Sequence, residues 1–452
     1  MQKNILPYSP VLFVIVISTL LLLSLLPEMK WVDHTFRKIN PLADVQSDPL
    51  RVTSKKNKLS KKKAVKKNNR KDTHCRPGLT CIEDFSKDKQ ALRYFFNALN
   101  QTRRNPVRVA FFGDSFIEGD ILSASLRDTL QSIYGGRGVG YVPLSSEVAQ
   151  FRTSIQHSFS NWETFSIVGK KNEWSPLCTP GYCFVPLQDN ETEYRTARKN
   201  SIPFAKIRLF YTNPLTARLN YAVNDTIHRS LQLTSSRNLE ESKLNDEKIQ
   251  SIRLKFSNID SLKVYGISFE ENTGLYIDNL AMRGNSGMGL LQISAQMNTQ
   301  FNFIQDYKLI ILQYGLNVVT ENDTLGYDWY IDKMVKVINR LKVDFPKSSI
   351  LLVSVSDHSS NQNGKFKTIP YIPIMRDAQR EIAQTCEIAF WDLFSAMGGE
   401  NSMLGFVNAA PPLAAKDYTH LTFRGGKKIA KQMADAILFE REQYGKKKKT
   451  HP

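Results

Sequence analysis

The stretch Val107-Arg-Val-Ala-Phe-Phe-Gly-Asp-Ser115 decides the fold, because an apolar run ends there directly in a polar turn. Such a run predicts a buried strand, and the pattern near residues 121–133 predicts a helix after it. A strand followed by a helix is typical of α/β folds with a parallel sheet. In open sheets of this kind, ligands bind beyond the carboxyl ends of the strands. Ser115 is therefore expected at that edge, either as a nucleophile or as the N-cap of the helix, with Asp114 as a hydrogen-bonding brace.

A second motif, Asp417-Tyr-Thr-His420, lies just before the last predicted helix. This spacing lets the carboxylate reach one imidazole nitrogen while the other nitrogen faces outward. A histidine held in this way is a general base, and Ser115 is the nucleophile that it would activate. Each motif alone is short enough to occur by chance. Their order and contexts together predict a catalytic triad of Ser115, His420 and Asp417.

Two further strand ends complete the predicted site. The apolar run that begins at Ile310 ends in Gly315-Leu-Asn317, so the Asn317 amide is expected at the same sheet edge. Gly284 follows another strand end, where a residue without a Cβ lets its N–H approach a substrate oxygen closely. The N–H groups of Ser115 and Gly284, with the Asn317 amide, would form an oxyanion hole. Taken singly, Gly284 also fits a plain turn, and Asn317 fits a capping residue.

These four blocks resemble the SGNH (GDSL-type) hydrolase superfamily. Its namesake Ser, Gly, Asn and His correspond to Ser115, Gly284, Asn317 and His420. The resemblance covers residues 105–145 and 274–440, and it implies a three-layer α/β/α domain with a parallel sheet. It also implies a serine esterase that uses no metal and no cofactor. One position departs from the family pattern, because Val318 stands where the family often has Asp, which weakens the expected support around Asn317.

The stretch Phe390–Ser402 is similar to the branch that contains periplasmic peptidoglycan O-acetylesterases. That resemblance implies removal of O-acetyl groups from a cell-wall glycan, with peptidoglycan as the expected substrate. The same triad would also serve a periplasmic polysaccharide O-acetyltransferase, since the two reactions differ in whether water or a sugar takes the acyl group. A third alternative is an inactive glycan-binding protein, against which the complete triad argues.

Residues 150–273 interrupt the α/β pattern. Period-two runs such as Ala205–Tyr211 and Ser251–Phe256 predict antiparallel strands, and we expect an inserted β-sandwich of the carbohydrate-binding type that orients a long glycan. Its aromatic residues fit either sugar stacking or the sandwich core; they include Trp162, Trp174, Tyr182 and Tyr221. After this insertion the α/β pattern returns. The predicted strands are 308–314, 349–355 and 388–392, and the predicted helices are 327–344, 371–386 and 422–440.

The amino-terminal segment Val11–Leu26 is almost wholly apolar and, with the residues before it, approaches the ~20 residues that cross a bilayer. No small-x-small cleavage site follows Leu26, so we expect an uncleaved anchor rather than a removed signal peptide. The basic residues Lys30, Arg37 and Lys38 strain the positive-inside rule for this orientation. The expected location is nevertheless periplasmic or extracytoplasmic, with the protein anchored to the cytoplasmic membrane.

The five cysteines include two close pairs around Pro-Gly turns. Cys75 with Cys81, and Cys178 with Cys183, suit two small-loop disulfides in an oxidising compartment. Cys386 falls on a predicted helix, where a buried and unpaired thiol is expected. The histidines do not cluster near these cysteines, so no zinc site is expected.

The net charge of +18 is concentrated in two runs. Eleven Lys or Arg and no acid lie in residues 51–71, and Lys446–Lys449 add four more. The first run fits a solvated tether between membrane and catalytic domain, with attraction to anionic wall polymers or lipids as the alternative. The apolar segment ahead of it disfavours nucleic acid. The expected partners are thus an O-acetylated glycan and the inner membrane.

The sequence therefore predicts six segments. They are a membrane anchor (1–33), a basic linker (34–74), the first part of the hydrolase domain (75–149), the insertion (150–273), the second part of the hydrolase domain (274–440) and a basic tail (441–452).

Overall fold

The computed structural model describes residues 29–31, 34–36, 75–171, 173, 176–197, 203–245, 247–320 and 326–450. The predicted anchor segment Val11–Leu26, the basic run 51–71 and Trp174 lie outside the described residues. Within the described ranges, no helix is both long and apolar enough to cross a membrane. The chain divides into two units, residues 1–71 and 72–452. In the first unit, strands β1 (Met29–Trp31) and β2 (His34–Phe36) pair antiparallel with each other.

The second unit contains the remaining described strands and helices, numbered in chain order. The strands are β3 (Glu83–Asp84), β4 (Pro106–Gly113), β5 (Gly140–Val142), β6 (Ile155–Ser166), β7 (Tyr182–Thr196), β8 (Lys206–Asn213), β9 (Arg218–Val223), β10 (Ile227–Gln232), β11 (Ser236–Asn245), β12 (Ser251–Ser257), β13 (Lys263–Glu270), β14 (Gly274–Ala281), β15 (Tyr307–Gln313), β16 (Ser349–Val353), β17 (Ser359–Gln362), β18 (Lys365–Thr368) and β19 (Ala389–Trp391). The α-helices are α1 (Arg93–Leu99), α2 (Ser123–Tyr134), α3 (Ala295–Gln305), α4 (Asp328–Asp344), α5 (Ile372–Thr385), α6 (Leu393–Met397), α7 (Ser402–Val407) and α8 (Phe423–Thr450).

The central sheet has the strand order β14-β4-β15-β16-β19-β3. All of its neighbouring strands are parallel except β3, which pairs antiparallel with β19 at the edge. Strand β4 is apolar on both faces: Val109 and Phe111 belong to one core cluster, whereas Ala110 and Phe112 belong to the other. Helices α1, α2 and α8 cover the first face, and α3, α4 and α5 cover the second. The predicted three-layer α/β/α domain with a parallel sheet is thus confirmed.

The insertion is an antiparallel sheet of nine strands, β5 to β13, with its own core. The long strand β7 pairs with β12 through residues 192–195 and with β13 at Phe184, so the sheet divides into two wings. Leu219 of one wing and Leu209 of the other lie in the same core cluster, which means that the wings face each other in a sandwich. The sheet runs from Gly140 to Glu270, compared with the expected 150–273, because β5 is recruited by pairing with β13.

Buried ion pairs fix the insertion against the catalytic domain. Glu270, on β13, accepts hydrogen bonds from Arg108 of β4 and from Arg208 of β8, the latter at 2.9 Å. Burial favours the neutral acid, but the two guanidinium groups prevail and lower the pKa of Glu270 to about 2. Near the nucleophile, the buried Asp120 pairs with Arg127 at 2.9 Å and with Arg152 at 3.0 Å. Without its arginine partners, the carboxylate of Glu270 or of Asp120 would be a buried and unpaired charge. These ion pairs therefore hold the insertion and the catalytic domain together.

The cysteines differ from the prediction at one pair. Cys75 and Cys81 form a disulfide. Cys178 and Cys183 do not; both are buried and unlinked. The reason is the turn between them, in which the Cys178 N–H donates to the carbonyl of Tyr182 rather than Cys183. This pairing offsets the two thiols by one residue, and both fill the core as small apolar groups. Cys386 is buried and unlinked as expected, and burial raises its pKa to about 11.

The described aromatic residues of the insertion serve its core. Trp162 packs edge-on against Phe256 with ring centroids 5.7 Å apart, and Tyr182 stacks on Phe184 at 5.3 Å. The Tyr221 hydroxyl donates to a backbone carbonyl. The side chains of Trp162, Tyr182 and Tyr221 are all partly buried and pack against the core of the insertion.

The carboxyl-terminal helix is longer than predicted. Helix α8 runs to Thr450, so the boundary expected at residue 440 falls inside it. Arg441 donates to the Tyr134 hydroxyl at 2.7 Å, and Tyr444 packs on Phe96 with ring centroids 5.5 Å apart. These tertiary contacts extend the helix into the predicted basic tail.

Candidate active site

The register of the central sheet brings the candidate residues to one edge. Ala281, Gly113, Gln313, Val353 and Trp391 pair in one row across β14, β4, β15, β16 and β19. Because these strands are parallel, the segments after this row all leave the sheet at its carboxyl edge. The motifs predicted from the sequence begin in three of those segments.

Ser115, His420 and Asp417 form one chain of hydrogen bonds. Ser115 Oγ lies 2.9 Å from His420 Nε2, and His420 Nδ1 lies 2.7 Å from Asp417 Oδ2. The other carboxylate oxygen accepts from the backbone N–H groups of Thr419 and His420, both at 3.0 Å. Partial burial acts to raise the pKa of Asp417, but the hydrogen bonds from His420 hold it below its ordinary value. An ionised Asp417 keeps the imidazole in the tautomer that accepts a proton from Ser115.

The nucleophile turn (residues 114–118) is braced from within. Asp114 is fully buried and accepts the Phe116 N–H at 2.9 Å, while its carbonyl accepts the Ile117 N–H at 3.3 Å. No hydrogen-bond acceptor for the Ser115 N–H occurs among the described residues. Burial raises the pKa of Asp114 to about 7, so the carboxyl is largely neutral below that pH. The predicted bracing role of Asp114 agrees with this geometry.

Gly284 lies in a loop (residues 282–287). The N–H groups of the two residues before it in this loop both donate hydrogen bonds within the protein. The Met282 N–H donates to the Gly113 carbonyl at 3.0 Å, and the Arg283 N–H donates to Glu118 at 3.3 Å. The next amide, that of Gly284, has no acceptor in the described part of the protein. Gly284 has φ +75° and empty space where a Cβ would project, so its N–H is accessible to a ligand.

Asn317 is tied to the same loop. Its side-chain amide donates to the carbonyl of Asn285 at 3.2 Å, which leaves one amide hydrogen for a ligand. Asn285 is itself buried and accepts the Gly287 N–H at 2.9 Å. Val318, which replaces the Asp common in the family, is buried. The Asn285 carbonyl therefore gives the Asn317 side chain the support that an Asp at position 318 was expected to give.

Two supporting residues were missed by the sequence analysis. Glu118 accepts both the backbone N–H of Arg283 and its guanidinium, the latter at 3.1 Å, and so links the nucleophile turn to the Gly284 loop. Burial raises the pKa of Glu118 above its ordinary value, although the charge of Arg283 and the hydrogen bonds from it act to lower it. Asn279 of β14 makes a second link by donating to the Ile117 carbonyl at 2.8 Å. A glutamate three residues after the nucleophile was the only local signal, and its partner is distant in sequence.

The insertion borders this site. A Cβ at Gly181 would lie 3.1 Å from the terminal carbon of Met282, and one at Gly289 would lie 3.6 Å from Ile167. Gly181 and Ile167 belong to the insertion, whereas Met282 is the first residue of the Gly284 loop and Gly289 follows that loop. The described residues contain no group of three or more His, Cys, Asp and Glu arranged to hold a metal ion.

The comparisons agree with the fold. A scan against protein-family models finds no match, and a search of curated proteins finds no significant match. Among solved structures, a match that covers 80% of this chain agrees with the fold described above, an α/β/α domain with an inserted antiparallel sheet. The chain is similar to a peptidoglycan O-acetylesterase, with 19% sequence identity and a TM-score of 0.66 over 80% of this chain and 99% of that chain.

A shorter match is to an acetyl xylan esterase from Geobacillus stearothermophilus, with 20% identity and a TM-score of 0.28 over 37% of this chain and 73% of that chain. At that TM-score it adds nothing to the assignment of the fold.

Proposed function

We propose that the protein is a serine esterase that removes O-acetyl groups from a cell-wall polysaccharide, with peptidoglycan as the substrate. The observation that carries the proposal is the hydrogen-bonded chain Ser115–His420–Asp417 beside two unengaged amides at one sheet edge. The choice of substrate rests on the similarity of fold to a peptidoglycan O-acetylesterase over 80% of this chain.

The geometry supports a two-step acyl transfer. His420 Nε2 takes the proton of Ser115 as Oγ attacks the acetyl carbonyl, and Asp417 stabilises the imidazolium that results. The N–H groups of Ser115 and Gly284 and the free amide hydrogen of Asn317 would hold the oxyanion. As the bond between the acetyl carbon and the sugar oxygen breaks, His420 gives its proton to that oxygen and the sugar leaves with a free hydroxyl. In the second step, His420 removes a proton from water, which attacks the acetyl-serine. His420 then returns the proton to Ser115 Oγ as the bond to the acetyl carbon breaks and acetate leaves.

The insertion would position the glycan chain. It contributes none of the triad or oxyanion groups, but its residues Ile167 and Gly181 border the Gly284 loop. A long polymer that reaches the triad would therefore pass the insertion as well. This placement supports an orienting role for a substrate longer than a single sugar.

The proposed location is extracytoplasmic, with the chain anchored in the cytoplasmic membrane. The Cys75–Cys81 disulfide is of the kind that persists in oxidising compartments, and the apolar segment Val11–Leu26 supports an anchor.

Acetate release from O-acetylated peptidoglycan tests the proposal. The second unit, residues 72–452, should release acetate, and the Ser115→Ala variant should not. The assay is run with and without an unacetylated glycan acceptor. Acetylation of that acceptor in place of acetate release would identify an acetyltransferase that uses the same triad, and glycan binding without either reaction would contradict an enzymatic role.

A further inference from the structure

The base turn (residues 415–420) lies largely on the surface, and it meets the hydrophobic core through the side chain of Tyr418. The side chain of Asp417 is 49% exposed and that of His420 is 33% exposed. Their mutual hydrogen bond must nevertheless keep His420 Nε2 within 2.9 Å of Ser115 Oγ. Exposed ion pairs and hydrogen bonds contribute little on their own. Contacts to Tyr418 therefore decide how firmly this turn is held.

Tyr418 has a conformation that needs support. Its φ is +56°, in the left-handed region, which is unfavourable for a residue with a side chain. This conformation lets the chain reverse, so that the Tyr418 N–H donates to the Ala415 carbonyl at 3.1 Å and the Ala415 N–H donates to the His420 carbonyl at 2.8 Å. The same reversal brings the Asp417 carboxylate back onto the imidazole. Contacts to Tyr418 thus act directly on the geometry of the triad.

The β17–β18 hairpin (residues 359–368) supplies two such contacts. The N–H of Ser359 donates to the Tyr418 carbonyl at 3.1 Å. The ring of Phe366 stacks on the ring of Tyr418, with centroids 3.7 Å apart and planes 8° from parallel. Both rings are half-buried, and they cover each other where each would otherwise face water. One contact holds the backbone of Tyr418 and the other holds its side chain.

The hairpin is itself rigidly attached. Asp357, fully buried after the end of β16, accepts the Thr368 hydroxyl at 2.7 Å with one carboxylate oxygen. Its other oxygen accepts the Met403 N–H at 2.7 Å, at the start of α7. The carbonyl of His358 accepts the Ile369 N–H at 2.9 Å and closes the base of the hairpin. These hydrogen bonds fix the hairpin relative to the central sheet. Through its contacts with Tyr418, the hairpin in turn fixes the base turn.

We propose that Phe366 is a positioning residue: through its stack on Tyr418, the hairpin holds the base turn so that Asp417 and His420 stay aligned with Ser115. This inference rests on the proposed esterase function. Phe366 acts through Tyr418 and touches no reacting atom. Losing the stack would let the turn move, and a small displacement of the base slows proton transfer steeply.

The test is Phe366→Ala, assayed on a small acetyl ester, 4-nitrophenyl acetate, and on O-acetylated peptidoglycan. We expect kcat to fall between about tenfold and a hundredfold on both substrates, with KM nearly unchanged. Phe366→Tyr, which keeps a stacking ring, should retain most of the activity. Phe303→Ala is the matched control, because it removes a phenyl ring that is 89% exposed on α3; its activity should equal that of the wild type.

A double-mutant cycle with Tyr418→Ala separates positioning from substrate contact. If the stack acts through Tyr418, the two losses should be non-additive, so that Phe366→Ala costs little once Tyr418 is Ala. Additive losses, a rise in KM on the polymer alone, or unchanged kcat in Phe366→Ala would each overturn the proposal. These outcomes require an active wild type, so a wild type without esterase activity would instead contradict the proposed function.

Discussion

The nucleophile turn and the base turn meet at a single hydrogen bond, but the protein holds them in opposite ways. The nucleophile turn is fixed from within by the buried carboxyl of Asp114 and by the carboxylate of Glu118. The base turn is largely exposed and is held through Tyr418, which packs against the core and stacks on Phe366 of the hairpin. Both turns also depend on distant segments, but the nucleophile turn is bound by hydrogen bonds to Arg283 and Asn279, whereas the base turn depends on contacts to one residue, Tyr418. The two turns should therefore respond differently to substitution.

The largest loss is expected when either partner of the shared hydrogen bond is removed. Ser115→Ala and His420→Ala should each reduce acetate release by about four orders of magnitude or more, because nucleophile and base act as one unit. For the same reason the double variant should be no worse than either single one. Steady-state assays, with circular dichroism to show an intact fold, check this expectation. Substantial activity in Ser115→Ala would contradict the mechanism.

A smaller loss is expected from Asn317→Ala. Removing one oxyanion donor should lower kcat by about 10²–10³ and leave KM little changed, since the amide would stabilise the transition state. Because Asn317 also donates to the Asn285 carbonyl, thermal unfolding should be measured as the control. A change in KM alone would place Asn317 in ground-state binding instead.

Asp114 should make the free energy of unfolding depend on pH. Its pKa of about 7 in the folded protein exceeds the ordinary value of about 4 that applies in the unfolded chain. Its stabilising contribution is thus fully present below about pH 4 and is lost as the pH rises to about 7, by at most about 4 kcal/mol. Asp114→Asn cannot ionise but can still accept the Phe116 N–H.

Urea unfolding of both proteins across that pH range measures the effect. Relative to the wild type, the Asn variant should gain stability as the pH rises. If the difference in the free energy of unfolding between the two proteins did not change with pH, the pKa of Asp114 would be the same in the folded and the unfolded protein.

The smallest loss of activity is expected when Glu118 is replaced. Glu118→Ala removes the link to the Arg283 N–H and frees the Gly284 loop, so kcat should fall about tenfold. Glu118→Gln can still accept that N–H and should lose much less. Equal activity of the two variants and the wild type would show that the Gly284 amide needs no such link.

The sequence predicts the reacting residues of both turns, but not the distant contacts that hold the turns in place. The apolar run before Ser115 and the spacing of Asp417 and His420 are local patterns, and period and spacing are sufficient to interpret them. The stack of Phe366 on Tyr418 joins segments far apart in the chain. Neither residue has a local signal, because a half-exposed phenyl ring in a hairpin is ordinary.

Two other differences between the predicted and the observed structure also arise from tertiary contacts. The spacing of Cys178 and Cys183 suited a disulfide, but the turn pairs Cys178 with Tyr182. Helix α8 passes its predicted end because Arg441 and Tyr444 find partners on other elements.

If Ser115 is the nucleophile, an acetyl-serine forms during turnover, and trapping that intermediate is the most direct test of the mechanism. The protein is mixed with excess acetyl ester, quenched with acid during turnover, digested and examined by mass spectrometry. We expect one acetyl group on Ser115 in the wild type and none in Ser115→Ala. Acetate release with an unmodified Ser115, or acetylation of another residue that accounts for turnover, would contradict it.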